Sequence, residues 1–292
     1  MQNNNSQATT LSGALKYIDK AAVQRGMASV TEYRATSVGL DIIHGKGPVA
    51  PMRQFPQHYL RRDGADYSTG NSKEVEGFGF SDDVLIIGTH GTSHVDALCH
   101  IFCNGTMCGG YSADEVSSTG SKKLGAETIP SIVTRAIVID AVPEGEDWLA
   151  PGVAIHAADL QAMLDAKNIV PAPGDALIVR TGWVEFSRAG NQSKFSAPGL
   201  SADTVEWIRH HKFSILGADN IAVEVGPSET PGTALPLHSS LMHQDGLLFI
   251  ELLDLSSVKG KVAVVYFKSL KNCWWNGKSS CANAHVLVIF TY

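Results

Sequence analysis

The chain has 292 residues, which is long enough for one large domain or two small ones with a full hydrophobic core. Its apolar fraction of 44%, charged fraction of 18% and net charge of −6 are typical of a globular protein and exclude a disordered or fibrous one. The sequence has no basic run of the kind that binds nucleic acid or an anionic membrane. We therefore expect neither nucleic acid nor a membrane as a partner.

The ends and the cysteines of the chain predict a cytoplasmic protein. The amino terminus lacks the charged start and the apolar stretch of a secretory signal, and no apolar run in the sequence is long enough to span a bilayer. Five cysteines are an odd number for a disulfide framework, and the spacings of Cys99, Cys103 and Cys108 do not match those of zinc knuckles. Reduced, buried thiols are the expected state.

The first third of the chain shows few regular patterns. Residues 1–10 are predicted to be disordered, and residues 11–292 to form a single domain without a linker. Apolar residues at helical spacing, with Ser12 as the N-cap, predict a helix over residues 12–30. Residues 44–75 have no period and predict a long loop or a region of short strands.

From residue 83 onward, short apolar runs alternate with a few helical patterns. The run at 84–87, which ends at Gly88, predicts a buried strand, and the capping pattern Ser112–Glu115 predicts the start of a helix. Further strands are predicted over 135–140, 174–183, 213–216, 221–225, 247–255, 262–267 and 286–290, and further helices over 159–167 and from Ser201. This alternation predicts an α/β or α+β fold in one continuous domain.

A cluster of potential metal ligands follows the first predicted strand. Within eleven residues the chain places 3 of its 11 histidines and an aspartate, namely His90, His94, Asp96 and His100. Imidazole nitrogen and carboxylate oxygen suit zinc, manganese or iron. A metal site is the interpretation that this density favours over a chance set of surface or core histidines.

The spacing of these four residues excludes one regular element for all of them. A strand would spread them over about 33 Å, which is too far for one ion. A helix would place Asp96 almost opposite His94. We therefore expect a loop or tight bend at the end of a buried strand, where α/β sheets commonly bind ligands.

A second group of ligand residues lies near residue 240. His238 is followed by His243, Asp245, Glu251 and Asp254. Glu251 interrupts an otherwise almost wholly apolar strand, and a buried carboxylate is costly unless it is paired or bound to a metal. Glu251 is therefore the most anomalous acid of the chain.

The segment from His90 to His100 resembles the signature His-x-x-x-His-x-Asp-x-x-x-His of the cyclase family of metal-dependent hydrolases. That family includes bacterial kynurenine formamidases, isatin hydrolases and trans-dienelactone hydrolases. The stretch 174–183, the sequence Leu216–Asp219 and the late pair His238 and Glu251 also resemble family features. The similarity extends from about residue 75 to residue 256.

The resemblance implies a swivelling β/β/α domain with a mixed sheet, usually assembled as a homodimer or homotetramer. It also implies that His90, His94 and Asp96 bind a first divalent ion, Zn²⁺ or Mn²⁺. In members with two ions, the aspartate bridges to a second ion held by the counterparts of His238 and Glu251. The resemblance assigns acid/base catalysis to His100.

Three differences from the family pattern bear on the site. Gly91, Thr92 and Ser93 replace the usual Gly-Thr before the second histidine, and Leu98 replaces the usual proline after Asp-Ala. The separation between His238 and Glu251 is one residue longer than in some members of the family, and His243 is a competing ligand for the position of His238.

The favoured function is metal-dependent hydrolysis of a small cyclic or N-formyl amide, or of a lactone, by a metal-activated water. The sequence contains no Gly-x-Ser-x-Gly nucleophile elbow and no dinucleotide fingerprint, so no serine nucleophile and no organic cofactor are expected. A cyclase or dehydratase on the same site and a non-catalytic metal-binding protein remain as alternatives.

Overall fold

A mixed sheet of nine strands forms the centre of the fold. The computed structural model describes residues 13–47, 53–191, 195–267, 283–285 and 289–291. Across these residues the strands are β1 (Ala35–Ser37), β2 (Gln57–Arg62), β3 (Asp82–Ile86), β4 (His94–Asp96), β5 (Val116–Ser117), β6 (Gly120–Ser121), β7 (Ile132–Asp140), β8 (Ala154–Ile155), β9 (Ala176–Arg180), β10 (Gly199–Leu200), β11 (Ile215–Ala218), β12 (Leu248–Glu251), β13 (Val262–Phe267), β14 (Asn283–His285) and β15 (Ile289–Thr291).

The helices are short and cover the sheet or connect its strands. The α-helices are α1 (Lys20–Ala28), α2 (Gly64–Ser68), α3 (Ala157–Ala166), α4 (Trp183–Arg188) and α5 (Thr204–His211). A π-helix spans His238–Gln244, and 3₁₀ turns span Ala14–Tyr17, Thr89–Gly91, Cys108–Gly110, Ala113–Glu115 and Ala126–Thr128.

The strand order of the main sheet is β1-β15-β13-β7-β9-β11-β12-β4-β14. Its four central strands, β7, β9, β11 and β12, run parallel to one another, and antiparallel strands extend the sheet on both sides. Parallel strands are buried on both faces and need near-continuous apolar sequences. The fully buried run Ala176–Arg180 of β9 and the run Ile215–Ala218 of β11 fit this requirement.

Helix α1 is fixed against the sheet at close range. A Cβ atom on Gly26 would lie 2.8 Å from the backbone nitrogen of Arg135 in β7, so this contact requires glycine. Asp175, which is fully buried, accepts hydrogen bonds from the side chains of Arg25 and Arg135 and thereby links the helix to two strands.

The mixed α/β fold predicted from the sequence is confirmed, and the predicted strands at 135–140, 174–183 and 262–267 and the helix at 159–167 are present. The predicted helix over 12–30 is wrong as one element. It is divided into a 3₁₀ turn and α1 because the side chain of Asp19 accepts a hydrogen bond from the backbone of Ala22 and starts a new helix there. The predicted cap at Ser12 and the predicted disorder of residues 1–10 lie outside the described residues, as does most of the predicted strand 286–290.

Three further predictions of local structure are wrong. The apolar run at 84–87 does not form a buried strand, because β3 pairs with β2 in a separate two-stranded ribbon and all its residues are exposed. The capping pattern at Ser112 begins a single 3₁₀ turn, since no periodic apolar residues follow it. The run 221–225 is a loop in which Val223 has a φ of +60°.

Helix α5 begins later than its predicted cap at Ser201. Asp203 is the N-cap residue, and Ser201 contributes its carbonyl oxygen, which accepts a hydrogen bond from the Thr204 hydroxyl. Among the described residues, no helix is both long and apolar enough to cross a membrane.

Candidate metal centre

The predicted ligands meet at one edge of the main sheet. Glu251 is the last residue of β12, and His94 is the first residue of β4, which pairs with β12 in the antiparallel direction. His94 is therefore the direct cross-strand neighbour of Glu251, and such neighbours project from the same face. The carboxyl ends of parallel strands are the usual position of ligand sites in α/β sheets.

Strand β4 accounts for the spacing of the second histidine and the aspartate. Side chains two positions apart in a strand point to the same face, so His94 and Asp96 both face Glu251. The expectation of a loop for the whole segment is thus wrong for these two residues, since a strand of three buried residues is too short to show a period. His90 belongs to the preceding 3₁₀ turn, and His238 begins the π-helix.

The carboxylate of Asp96 lies between two sets of ligand atoms. Its Oδ1 is 3.4 Å from Nδ1 of His90 and 3.2 Å from Nε2 of His94, whereas its Oδ2 is 3.6 Å from Nε2 of His238. This arrangement gives two groups of three residues whose ligand atoms lie within 4.8 Å of one another. The first group is His90, His94 and Asp96, and the second is Asp96, His238 and Glu251. Asp96 belongs to both groups.

Glu251 connects the same two histidines from the opposite side. Its Oε1 lies 3.5 Å from Nε2 of His238, and its Oε2 lies 3.4 Å from Nε2 of His94. The side chain is almost completely buried, as the sequence predicted. Two buried carboxylates therefore face a common set of imidazole nitrogens.

Burial and the two carboxylates shift the pKa values of the cluster strongly. Burial raises the pKa of Glu251, and the nearby charge of Asp96 raises it further. Burial opposes the charge of His94, but Asp96 and Glu251 nevertheless raise its pKa to about 9. Burial, with smaller contributions from the neighbouring His94 and His100, lowers the pKa of His90 to about 3, although the charge of Asp96 opposes the shift. The buried carboxylates thus require compensating positive charge at this position.

The residues present fit a divalent cation. Nε2 of His94 is buried and makes no hydrogen bond of good geometry to any part of the chain that the structure describes. Its other ring nitrogen, Nδ1, donates to the carbonyl oxygen of Thr92 at 2.8 Å, which orients the ring so that Nε2 is directed into the cluster. Nitrogen and carboxylate oxygen donors with such an outer hydrogen bond are typical of zinc and manganese sites.

His100 lies beside the first group rather than in it. Its ring centroid is 4.1 Å from that of His90, and it is in neither group of potential metal ligands. Burial lowers the pKa of His100, so the neutral imidazole, which can accept a proton, is favoured at neutral pH.

His243 and Ser93, two of the differences noted in the sequence, occupy positions around the cluster. Nε2 of His243 contacts the carbonyl oxygen of Thr106 at 2.9 Å, and His243 belongs to neither metal group. The hydroxyl of Ser93 donates to the carbonyl oxygen of Leu252 and accepts from the backbone of Leu40 at 2.7 Å. Ser93 thus ties the start of β4 to the end of β12.

Sequence reasoning missed Glu224. Its carboxylate is buried and accepts hydrogen bonds from the backbone and the Nδ1 atom of His238. Glu224, like Glu251, is an acid within an apolar run, here residues 221–225. This pattern could have identified Glu224 from the sequence.

The fold and the cluster define a mixed α/β protein with two adjoining groups of potential metal ligands at one sheet edge. The chain belongs to the Cyclase family, whose model matches residues 35–225. The resemblance inferred from the sequence is therefore confirmed.

Solved structures with the same fold include cyclases and hydrolases. A crystal structure described as a novel cyclase is 25% identical, with a TM-score of 0.84 over 98% of this chain and 97% of the other. An isatin hydrolase bound to the product analogue thioisatinate is 17% identical, with a TM-score of 0.64 over 90% and 93%. A "predicted metal-dependent hydrolase" from Bacillus stearothermophilus is 16% identical, with a TM-score of 0.54 over 88% and 97%. No curated protein matches the chain.

Proposed function

We propose that the protein is a metal-dependent hydrolase that cleaves a small cyclic amide, an N-formyl amide or a lactone. The observation that carries this proposal is the position of Asp96, whose two carboxylate oxygens face different sets of ligand atoms. This arrangement supports binding of two divalent ions, Zn²⁺ or Mn²⁺, since Asp96 could contribute a ligand atom to each of two groups. His90 and His94 would complete the first site, and His238 and Glu251 the second.

In this proposal the protein positions the substrate carbonyl and moves protons. A divalent ion in the site would polarise the carbonyl and lower the pKa of water from about 15.7 towards about 7. His100 accepts the proton of the attacking water and donates it to the leaving nitrogen or oxygen as the C–N or C–O bond breaks. A cyclic amide or a lactone yields one ring-opened product that carries both a carboxylic acid and an amine or hydroxyl group, whereas an N-formyl amide yields formic acid and an amine.

A substrate panel tests the reaction class. We expect protein supplied with Mn²⁺ or Zn²⁺ to hydrolyse aryl formamides, isatin or simple lactones, and we expect a chelator to abolish the turnover until metal is added back. Mass spectrometry of the products identifies the addition of water. A product that has lost water would instead favour a cyclase or dehydratase. Stoichiometric metal binding without turnover of any of the three classes would contradict the hydrolase proposal.

The variant Glu251→Gln tests for the second ion. Glutamine keeps the shape of the side chain but removes the charge that compensates a cation, so we expect the metal-to-protein ratio to fall from two to one with the fold intact. Inductively coupled plasma mass spectrometry after dialysis gives the ratio, and circular dichroism checks the fold. Glu185→Gln, which affects an ion pair with Arg180 outside both metal groups, is the control. A wild-type ratio of one at saturating metal would reject the two-ion version.

Assembly as a homodimer or homotetramer and a cytoplasmic location remain predictions from the sequence. Size-exclusion chromatography with light scattering would test the first.

A further inference from the structure

Glu224 holds the imidazole of His238 from behind. One carboxylate oxygen, Oε1, accepts hydrogen bonds from the backbone nitrogen of His238 at 3.0 Å and from its ring Nδ1. The other oxygen, Oε2, accepts from the backbone nitrogen of Leu237 at 2.9 Å. The exposed fractions of Glu224 and His238 are 1% and 3%, so water does not compete for these contacts.

These contacts determine which ring nitrogen faces the metal centre. A carboxylate only accepts hydrogen bonds, so Nδ1 of His238 carries a proton. The Nε2 atom is then directed towards Asp96 Oδ2 and Glu251 Oε1, at 3.6 Å and 3.5 Å. A ring nitrogen that binds a metal must be free of its proton, and an outer carboxylate on the other nitrogen secures that form and the ring orientation.

The backbone around Glu224 is held in a conformation that costs free energy. Val223 has a φ of +60°, which a β-branched residue rarely adopts. The side chain of Asn220 accepts a hydrogen bond from the Val223 nitrogen at 2.7 Å and donates to the Pro198 carbonyl at 2.6 Å. Strained conformations of this kind persist where surrounding contacts enforce them, commonly at functional sites.

A close backbone approach fixes the same loop from its other side. The ideal Cβ position of Gly199 lies 2.5 Å from the carbonyl oxygen of Glu224, so only glycine permits the contact. Contacts from Asn220 and from Gly199 thus fix the loop that carries the Glu224 carboxylate.

From this geometry we infer that Glu224 is a positioning residue for the second ion. It fixes the proton on Nδ1 and the orientation of His238, so that Nε2 is available as a ligand beside Asp96 and Glu251. Glu224 itself does not contact the ion or the substrate. The inference rests on the proposed two-ion function. It states that Glu224 raises the affinity of the protein for the second ion and does not affect the first.

The variant Glu224→Gln disrupts this arrangement with almost no change in shape. An amide has one acceptor oxygen instead of two. If its NH₂ group faces the Leu237 nitrogen, two donors meet. If it faces Nδ1 of His238, the ring must carry its proton on Nε2, which then cannot bind a metal.

The control is another buried carboxylate that receives backbone hydrogen bonds. Asp219 accepts from the backbone nitrogens of Thr181 and Gly182, at 2.8 Å and 2.7 Å, and from the Thr181 hydroxyl. The variant Asp219→Asn therefore introduces a similar donor conflict, but no imidazole depends on it.

Calorimetric titration of metal-free protein with Mn²⁺ tests the inference. For Glu224→Gln we expect the first binding step to be unchanged and the second to weaken by about 10–100-fold. We expect raised Mn²⁺ to restore turnover. For Asp219→Asn we expect both steps as in the wild type, although thermal unfolding in a chelator shows both variants to be less stable.

Three outcomes would overturn the inference, and they are distinguishable. Two steps of wild-type affinity in Glu224→Gln would show that the residue does not position His238. Equal weakening of both Mn²⁺-binding steps in Glu224→Gln and in Asp219→Asn would mean that both variants lose structure generally, with no specific effect on His238. A wild-type protein that binds fewer than two ions would reject the two-ion proposal and this inference with it.

Discussion

Replacing His94 with alanine is expected to remove the first of the two proposed ions, so that the metal-to-protein ratio falls from two towards one, and to lower turnover by about 10³-fold or more. The imidazole is fully buried, and its Nε2 lies within 3.4 Å of an oxygen of both Asp96 and Glu251. Since metal catalysis contributes several kcal/mol and each 1.36 kcal/mol is tenfold in rate, a loss of this size follows from loss of the ion.

His243→Ala is the matched control for His94→Ala. It removes a partly buried histidine whose Nε2 contacts the carbonyl of Thr106 and which belongs to neither metal group. We expect it to keep wild-type metal content and turnover. Metal analysis and steady-state kinetics on both variants, with thermal unfolding in a chelator to compare their folds, give the result. Full metal content and full turnover in His94→Ala would disprove the assignment of His94 as a ligand.

His100→Ala is expected to keep the metal but to lose rate by about 10²–10⁴-fold, the usual contribution of a general acid or base. The ring of His100 is next to that of His90, but only His90 is grouped with His94 and Asp96. Substitution of the two neighbouring histidines should therefore have different effects. His90→Ala should lose bound metal, whereas His100→Ala should lose proton transfer.

Metal analysis beside kinetics separates these roles of the two rings. We expect added imidazole to restore part of the turnover of His100→Ala, because a small base can enter the space that the side chain leaves. If His100→Ala loses metal, His100 is a ligand and the acid/base assignment is wrong. If it keeps both metal and full turnover, another group transfers the proton.

The candidate site was largely predictable because its signals are local. The four residues from His90 to His100 are dense in sequence, and Glu251 is conspicuous as an acid within an apolar strand. Burial of Glu251 and its approach to His94 agree with that reasoning. What local sequence does not contain is the antiparallel pairing of β4 with β12, which joins residues more than 150 positions apart.

The errors in the fold have the same origin. The apolar residues at 84–87 predict a strand, but they do not predict which element, if any, covers it. In the structure β3 pairs with β2 in an exposed ribbon. Glu224 reaches His238 through a loop in which Val223 is held at positive φ by the side chain of Asn220. Neither propensity nor periodicity predicts such a conformation, because long-range contacts impose it.

The metal centre itself can be located with an anomalous difference map from a crystal soaked in Mn²⁺. We expect one peak within coordination distance of His90, His94 and Asp96, and a second within coordination distance of Asp96, His238 and Glu251. Absence of a peak at these residues, or a peak only elsewhere, such as at His243, would contradict a metal centre at this edge of the sheet.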